Sequence, residues 1–263
     1  MTSTHYALRI RLRRDNVPSF DRYPFSLPAV RNLDVLELHP KVTFLIGENG
    51  SGKSTLLEAI AVAWGFNPEG GTKNFAFSTR ASHSDLFRYL RIEKTIRRAR
   101  DGFFFRAESF FNVATEIERL DAEPSFGAPV IDSYGGLSLH EQSHGESFLA
   151  LMTNRLGGGG FYLLDEPEAA LSPQRQLAVL TCMHDLVNDD SQFIIATHSP
   201  LLMAYPDAHI YNLSTEGIEK IDYYETEHYR VMHDFLANPQ RMLDRLMDAT
   251  PQPGKKRTRK PRR

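Results

Sequence analysis

Residues 47–55 constrain this chain more than any other stretch. They read Gly47-Glu48-Asn49-Gly50-Ser51-Gly52-Lys53-Ser54-Thr55 and fit G-x-x-x-x-G-K-[ST]. A short apolar run at 41–46 precedes them and predicts a strand. Residues 55–64 follow with helix formers and apolar positions at helical spacing. A strand, a glycine turn and a helix in that order make a phosphate cradle. Backbone N–H groups from Gly50 to Ser54 can wrap an anion only where glycines remove the clashes of a Cβ. The helix N-terminus adds a favourable dipole. Lys53 is expected to reach the β- and γ-phosphates of a nucleoside triphosphate, and the Ser54 hydroxyl to ligate Mg²⁺. A chance glycine turn is the competing reading, and motif and context together argue against it.

Two later strand ends carry matching chemistry. Residues 161–164 are apolar and run into Asp165-Glu166; ligands of open parallel sheets bind at such an edge. Asp165 is expected to hold Mg²⁺ through water, and Glu166 to act as general base on the attacking water. Standing alone, such an acid pair would be a turn or a helix cap. Residues 192–196 form another apolar run, and His198 just past it is placed to bond the γ-phosphate or the lytic water. The other nine histidines read as surface or structural groups.

Elsewhere the pattern is an alternation of strands and helices. Residues 6–12 alternate as a strand, and 16–40 are rich in proline and turn residues. Residues 91–108 read as a hairpin turning at Asp101-Gly102. Residues 110–120 and 146–156 read as helices, and 157–160 as a glycine break. Residues 173–187 form a helix opened by Ser172 as cap and Pro173 at the first position. Residues 209–213 and 218–223 read as strands and 227–247 as broken helix. The fold class is α/β with a largely parallel core sheet.

The 263 residues are 41% hydrophobic and 24% charged, as in an ordinary globular chain. No apolar run approaches the roughly 18–20 residues of a membrane span, and the N-terminus lacks a secretory pattern. A single cysteine, Cys182, excludes an internal disulfide and suits a reducing compartment, so the expected location is cytoplasmic. The 31 Lys and Arg against 33 Asp and Glu give a formal charge of −2. Seven of those basic residues and no acid lie in 250–263, which leaves −9 on the rest. With Pro251, Pro253, Gly254 and Pro261, that segment reads as a disordered basic tail. It is either a solvated end or an arm for nucleic acid.

These motifs, in this order and spacing, resemble the ATP-binding-cassette (ABC) ATPase superfamily. Two further segments are similar to it. Ala169-Ala170-Leu171-Ser172 looks like the family's D-loop, and Ser143-His144-Gly145-Glu146, opening a helix, looks like its signature motif. The match covers most of 5–215. It implies a P-loop NTPase fold with N-terminal antiparallel strands and a small helical signature subdomain at about 108–157, all in one domain over 1–249. It implies Mg²⁺-dependent ATP hydrolysis by a head-to-tail homodimer with two ATP molecules between protomers. Ser143, Gly145 and Glu146 would meet the ATP held by the partner's phosphate loop. Taken by itself, Ser143 with Glu146 is a plain capping box, which is compatible with that role.

The chain departs from the family twice. His144 replaces the first signature glycine, and no glutamine lies between Lys53 and Gln142 to serve the Mg²⁺ site after the first helix. Glu108 and Asn112 are candidate substitutes. Tyr23 and Phe25 are candidates for stacking on adenine, or for core or turn roles. Glu146 and the Glu-Asn-Gly of the loop look closer to DNA-repair and chromosome-maintenance heads than to transporter subunits. No coiled coil fits between Leu120 and Tyr134, with Pro124, Gly127 and Pro129 there. The expected function is an ATPase switch in DNA repair or nucleic-acid defence, acting through an effector protein. A nucleotide-binding subunit of a membrane transporter is the alternative, and a regulatory protein that hardly hydrolyses ATP a third reading.

Overall fold

The computed structural model describes residues 6–73, 84–124 and 127–248. The basic tail lies outside them. In chain order the elements are β1 (Ala7–Leu12), α1 (Pro28–Arg31), β2 (Val35–Glu37), β3 (Val42–Ile46), α2 (Lys53–Trp64), β4 (Leu90–Lys94) and β5 (Asp101–Arg106). There follow α3 (Phe110–Ala122), α4 (His144–Ala150), β6 (Gly160–Asp165), α5 (Pro173–Asn188), β7 (Gln192–Ala196), α6 (Pro200–Met203), β8 (Ala208–Ser214) and β9 (Gly217–Ile221). Residues up to Tyr223 form one compact unit and those from Tyr224 a second. The second contains α7 (Glu227–Ala237), capped by the Thr226 side chain, and α8 (Pro239–Asp248).

Six strands form the main sheet in the order β5-β6-β7-β3-β8-β9. All neighbours run parallel except the final hairpin of β8 with β9. The three central strands β3, β6 and β7 are buried at every position. That is why they read as unbroken apolar runs, since a parallel sheet is covered on both faces. Alternate side chains divide between two cores. Phe44, Phe105, Leu164 and Ile195 pack with α3, α4, α5 and α6. Leu45, Phe104, Leu163 and Ile194 pack with α2 and with a second, antiparallel sheet of order β2-β1-β4. Gln192 ties the two sheets together. Its carboxamide accepts from the N–H groups of Tyr6 and Ala7 and donates to the carbonyls of Ala7 and His39, at 2.9–3.0 Å.

The expected hairpin over 91–108 does not form. β4 pairs with β1 in the small sheet, whereas β5 is an edge strand of the large one, parallel to β6. Asp101 and Gly102 open β5 instead of making a turn. Asp101 is a part-buried acceptor for Arg155 Nη1 at 3.0 Å and Tyr162 Oη at 2.9 Å. Gly102 is needed for close packing: a Cβ there would stand 2.9 Å from Phe66 Cζ and 3.0 Å from the Phe161 carbonyl. Asp-Gly is a turn signal only when no tertiary partner claims both residues.

The helix expected from 146 starts at His144 with Ser143 as cap, and it continues into a π-helical turn over Leu151–Arg155. The helix expected from 55 starts at Lys53, because Gly52 serves as its N-cap at φ 98°. Ser172 caps α5 as expected, its side chain accepting from the Arg175 N–H, with Pro173 at the first position. The 16–40 segment contains α1 and β2, two short elements without a clear period in the sequence.

Candidate functional site

Strand register builds the site. Arg106, Asp165, Ala196 and Leu45 lie side by side across β5, β6, β7 and β3 at the C-terminal edge of the sheet. The chain leaves that edge as the glycine loop after β3, as Glu166 after β6, and as Thr197-His198 after β7. Residues far apart in sequence therefore meet, because parallel strands share one direction and one end.

The glycine loop turns tightly into α2. At Gly47, φ is 141°, and a Cβ would fall 2.2 Å from the Leu213 carbonyl oxygen. No other residue fits there. The tip, Glu48-Asn49-Gly50, is exposed; Ser51 is part-buried and Gly52 buried. Lys53 is buried, and its ammonium donates to the carbonyls of Gly47 at 2.8 Å and Glu48 at 3.0 Å, inside the curl of the loop. Burial lowers its pKa, and Glu166, Asp165 and Glu168 oppose that. Thr55 Oγ1 lies 3.4 Å from the hydroxyl of exposed Tyr23. Phe25, by contrast, is a core residue set edge-on against Tyr89 at 4.9 Å.

Ser54 Oγ donates to Asp165 Oδ1 at 2.9 Å. Burial pushes the Asp165 carboxyl up to about 6, opposed by the Ser54 bond and by Arg106. Two hard oxygens converging at a strand end, one on a buried carboxylate that favours a cation, fit Mg²⁺. Among the described residues no group of three or more His, Cys, Asp or Glu side chains is arranged to hold a metal ion. Glu166 has left-handed backbone, φ 50° and ψ 52°, which for a non-glycine residue is strained by on the order of 1 kcal/mol. Its Oε1 lies 3.8 Å from His198 Nε2. Burial, then the Lys53 charge, lowers the His198 pKa, so the imidazole is mainly neutral near pH 7.

Neither expected substitute for the missing glutamine stands beside Asp165 on β5. The Glu108 side chain is 87% exposed, and Asn112 donates to Glu69 Oε2 at 3.1 Å. The residue paired with Asp165 is Arg106. Its Nε is 3.8 Å from Asp165 Oδ2, and its Nη1 donates to Glu58 Oε2 at 2.7 Å and to the Pro68 carbonyl at 3.0 Å. Sequence reasoning missed Arg106, although it directly follows the apolar Phe103-Phe104-Phe105, just as Asp165 follows an apolar run. It also missed Glu168 and Arg175.

The remaining candidates lie elsewhere on the unit. Ser143 and Glu146 form a complete capping box: Ser143 N–H and Oγ donate to Glu146 Oε2 at 3.0 and 2.6 Å, and Glu146 N–H donates to Ser143 Oγ at 3.4 Å. The Ser143 bonds, then Arg175, lower the Glu146 pKa. Arg175 Nη2 reaches Glu146 Oε1 at 3.1 Å. Ser143, His144, Gly145 and Arg175 line an open cavity of about 490 Å³ with Ala107, Ala169 and Ala170. No residue of the glycine loop is among its lining.

Two family models match this sequence. One, described as "AAA domain", covers residues 11–113; the other, "AAA domain, putative AbiEii toxin, Type IV TA system", covers 82–204. Phosphate loop, strand-end carboxylates and sheet order now coincide with AAA-type sequence. The fold is a mixed α/β one, with a mainly parallel sheet, a separate antiparallel sheet and a glycine-rich phosphate loop at the C-terminal strand edge. The matches to AAA-type domains support ATP binding and, in general, ATP hydrolysis.

Among solved structures it is similar to the SMC head domain from Thermotoga maritima, at 16% identity, 82% and 99% coverage of this chain and that one, and a TM-score of 0.42. It is similar also to cbiO1 from Clostridium perfringens, part of an ABC transporter complex, at 16% identity, 93% and 99% coverage and 0.48. A bacterial ABC transporter cassette solved as a dimer matches at 17% identity, 71% and 88% coverage and 0.44. No curated protein matches. Among the described residues no helix is long and apolar enough to cross a membrane.

Proposed function

We propose that this chain is a Mg²⁺-dependent ATPase that works as a head-to-tail dimer with ATP between the protomers. The observation that carries this reading is the meeting of Lys53, Ser54, Asp165, Glu166 and His198 at one sheet edge, with the Ser143 cavity built apart from it. In the proposed arrangement the backbone of Gly47 and of Asn49 to Ser54 wraps the phosphates, Thr55 continues the helix behind them, and Lys53 turns from its own loop carbonyls to the β- and γ-oxygens. Ser54 and Asp165 would hold Mg²⁺, which when bound would supply positive charge beside the phosphates. Glu166 takes the proton of the attacking water, and neutral His198 orients that water or the γ-phosphate. In this reading Tyr23, exposed beside Thr55, would cover the adenine.

The Ser143 cavity supports the dimer half of the reading. A serine hydroxyl, the Gly145 backbone and the Glu146-capped helix would meet the γ-phosphate end of ATP held by a second copy. Arg175 adds the positive charge that a phosphate favours. The biological setting we favour is a switch in DNA repair or nucleic-acid defence, acting through an effector, with the basic tail as a nucleic-acid arm. The toxin–antitoxin wording of the second family description fits the defence half.

Glu166→Gln tests the core of the proposal. The amide keeps the shape and cannot accept a proton, so ATP binding is retained while turnover falls about 10²–10⁴-fold. The variant is expected to accumulate as a dimer on sizing with Mg-ATP. A variant that hydrolyses ATP at the wild-type rate would remove Glu166 as base, and one that stays monomeric in saturating ATP would sink the sandwich. Co-purification from the native host distinguishes the settings: nucleic acid or a nuclease supports the switch, and a membrane subunit supports the transporter.

A further inference from the structure

Glu168 is a part-buried acid that the proposed chemistry leaves unused. It lies in the short 3₁₀ turn Pro167–Ala170, two residues past Glu166. Its Oε1 accepts the backbone N–H of His198 at 2.6 Å, across a sequence separation of 30. Thr197 is fully buried, and its Oγ1 accepts the N–H of Ser199 at 3.0 Å. Ser199 in turn caps α6 through the N–H groups of Leu201 and Leu202 and donates to Gln176 Oε1 at 2.5 Å. The turn after β7 is thus pinned on both sides of His198, and at His198 the pin is Glu168.

We infer that Glu168 is the positioning residue of His198: its carboxylate clamps the turn after β7 and so holds the imidazole against Glu166. This deepens the proposed function and rests on its assignment of His198. The geometry explains why an acid is used. A buried carboxylate is costly, and burial raises the Glu168 pKa while its hydrogen bonds lower it. A short charge-assisted bond to a backbone N–H fixes position more firmly than a neutral one. The ring to be fixed stands 3.8 Å from the proposed base. A displacement of about 1 Å at a reacting centre costs on the order of 10²-fold in rate. Glu168 itself touches no reacting atom in this account; it acts through His198.

The test is a double-mutant cycle in the full chain, with ATPase kinetics, fluorescent-ATP titration and amide hydrogen exchange as readouts. Glu168→Ala removes the acceptor and is expected to lower kcat about 10–100-fold with ATP affinity within about twofold. Glu168→Gln keeps an oxygen in the same place and is expected to recover most of the rate. On a His198→Ala background Glu168→Ala should cost nothing further, because the two act as one unit. The amide of His198 should lose exchange protection in Glu168→Ala and keep it in Glu168→Gln. The inference is overturned if Glu168→Ala has wild-type kcat, if it loses ATP affinity as much as rate, or if its penalty persists in full without His198. Unchanged protection of the His198 amide overturns the clamp whatever the rates. A His198→Ala protein with the wild-type rate refutes instead the role given to His198, and the exchange data then decide the clamp by themselves.

Discussion

Arg106→Met keeps most of the aliphatic stem and removes the guanidinium, and its cost can be worked from the geometry. Arg106 and Glu58 pair at 2.7 Å with side chains only 17% and 11% exposed. After the change Glu58 keeps one hydrogen bond, from the Ser84 N–H at 3.3 Å, and the Pro68 carbonyl loses its donor. Removing one partner of a buried ion pair costs about 3–5 kcal/mol, because the other charge stays buried; partial exposure places this pair near 3. For a chain of this size 1 kcal/mol moves Tm by roughly 2–4 °C, so a fall of about 6–12 °C is expected. Replacing both residues removes the orphaned Glu58 charge and leaves buried Asp165 with its Ser54 bond alone, so Glu58→Met with Arg106→Met should recover part of the loss. Thermal and urea unfolding of the wild type, both single variants and the double variant measure this coupling. An Arg106→Met protein within about 1 kcal/mol of wild type would falsify the reasoning, as would single effects that simply add.

Other outcomes follow from the same geometry. Lys53→Ala removes the one side-chain cation of the glycine loop and should abolish Mg-ATP binding or weaken it at least 100-fold by fluorescent-ATP titration; wild-type affinity would take the loop out of the mechanism. Ser143→Arg, added to Glu166→Gln, fills the cavity with bulk and should prevent the ATP-dependent dimer on sizing, while each protomer still binds ATP; a dimer that persists would move the interface elsewhere. Deleting 251–263 removes seven phosphate-neutralising charges. It should flatten the log–log salt slope of DNA binding by up to about 6, at about 0.9 per phosphate, and leave basal ATPase unchanged. Equal slopes by anisotropy would make the tail a bystander.

Much of this protein is written locally. The glycine loop is legible because each of its residue types answers to backbone sterics and phosphate chemistry within nine positions. β3, β6 and β7 are legible because strands buried on both faces must be apolar throughout, and Ser172-Pro173 because a helix start is decided within one turn. What the sequence could not disclose depends on partners tens of residues away. Asp101-Gly102 is a good turn pair locally, yet Arg155, Tyr162, Phe66 and Phe161 turn it into a strand start. Arg106 becomes the neighbour of Asp165 only through the register of β5 on β6, and Glu168 meets His198 only because β6 and β7 end together. Tyr23 and Phe25 are two aromatic residues one proline apart. Packing against Tyr89 buries one and leaves the other beside Thr55. Short-range sterics and burial decide which elements exist; strand order and register, which no local window contains, decide which side chains meet.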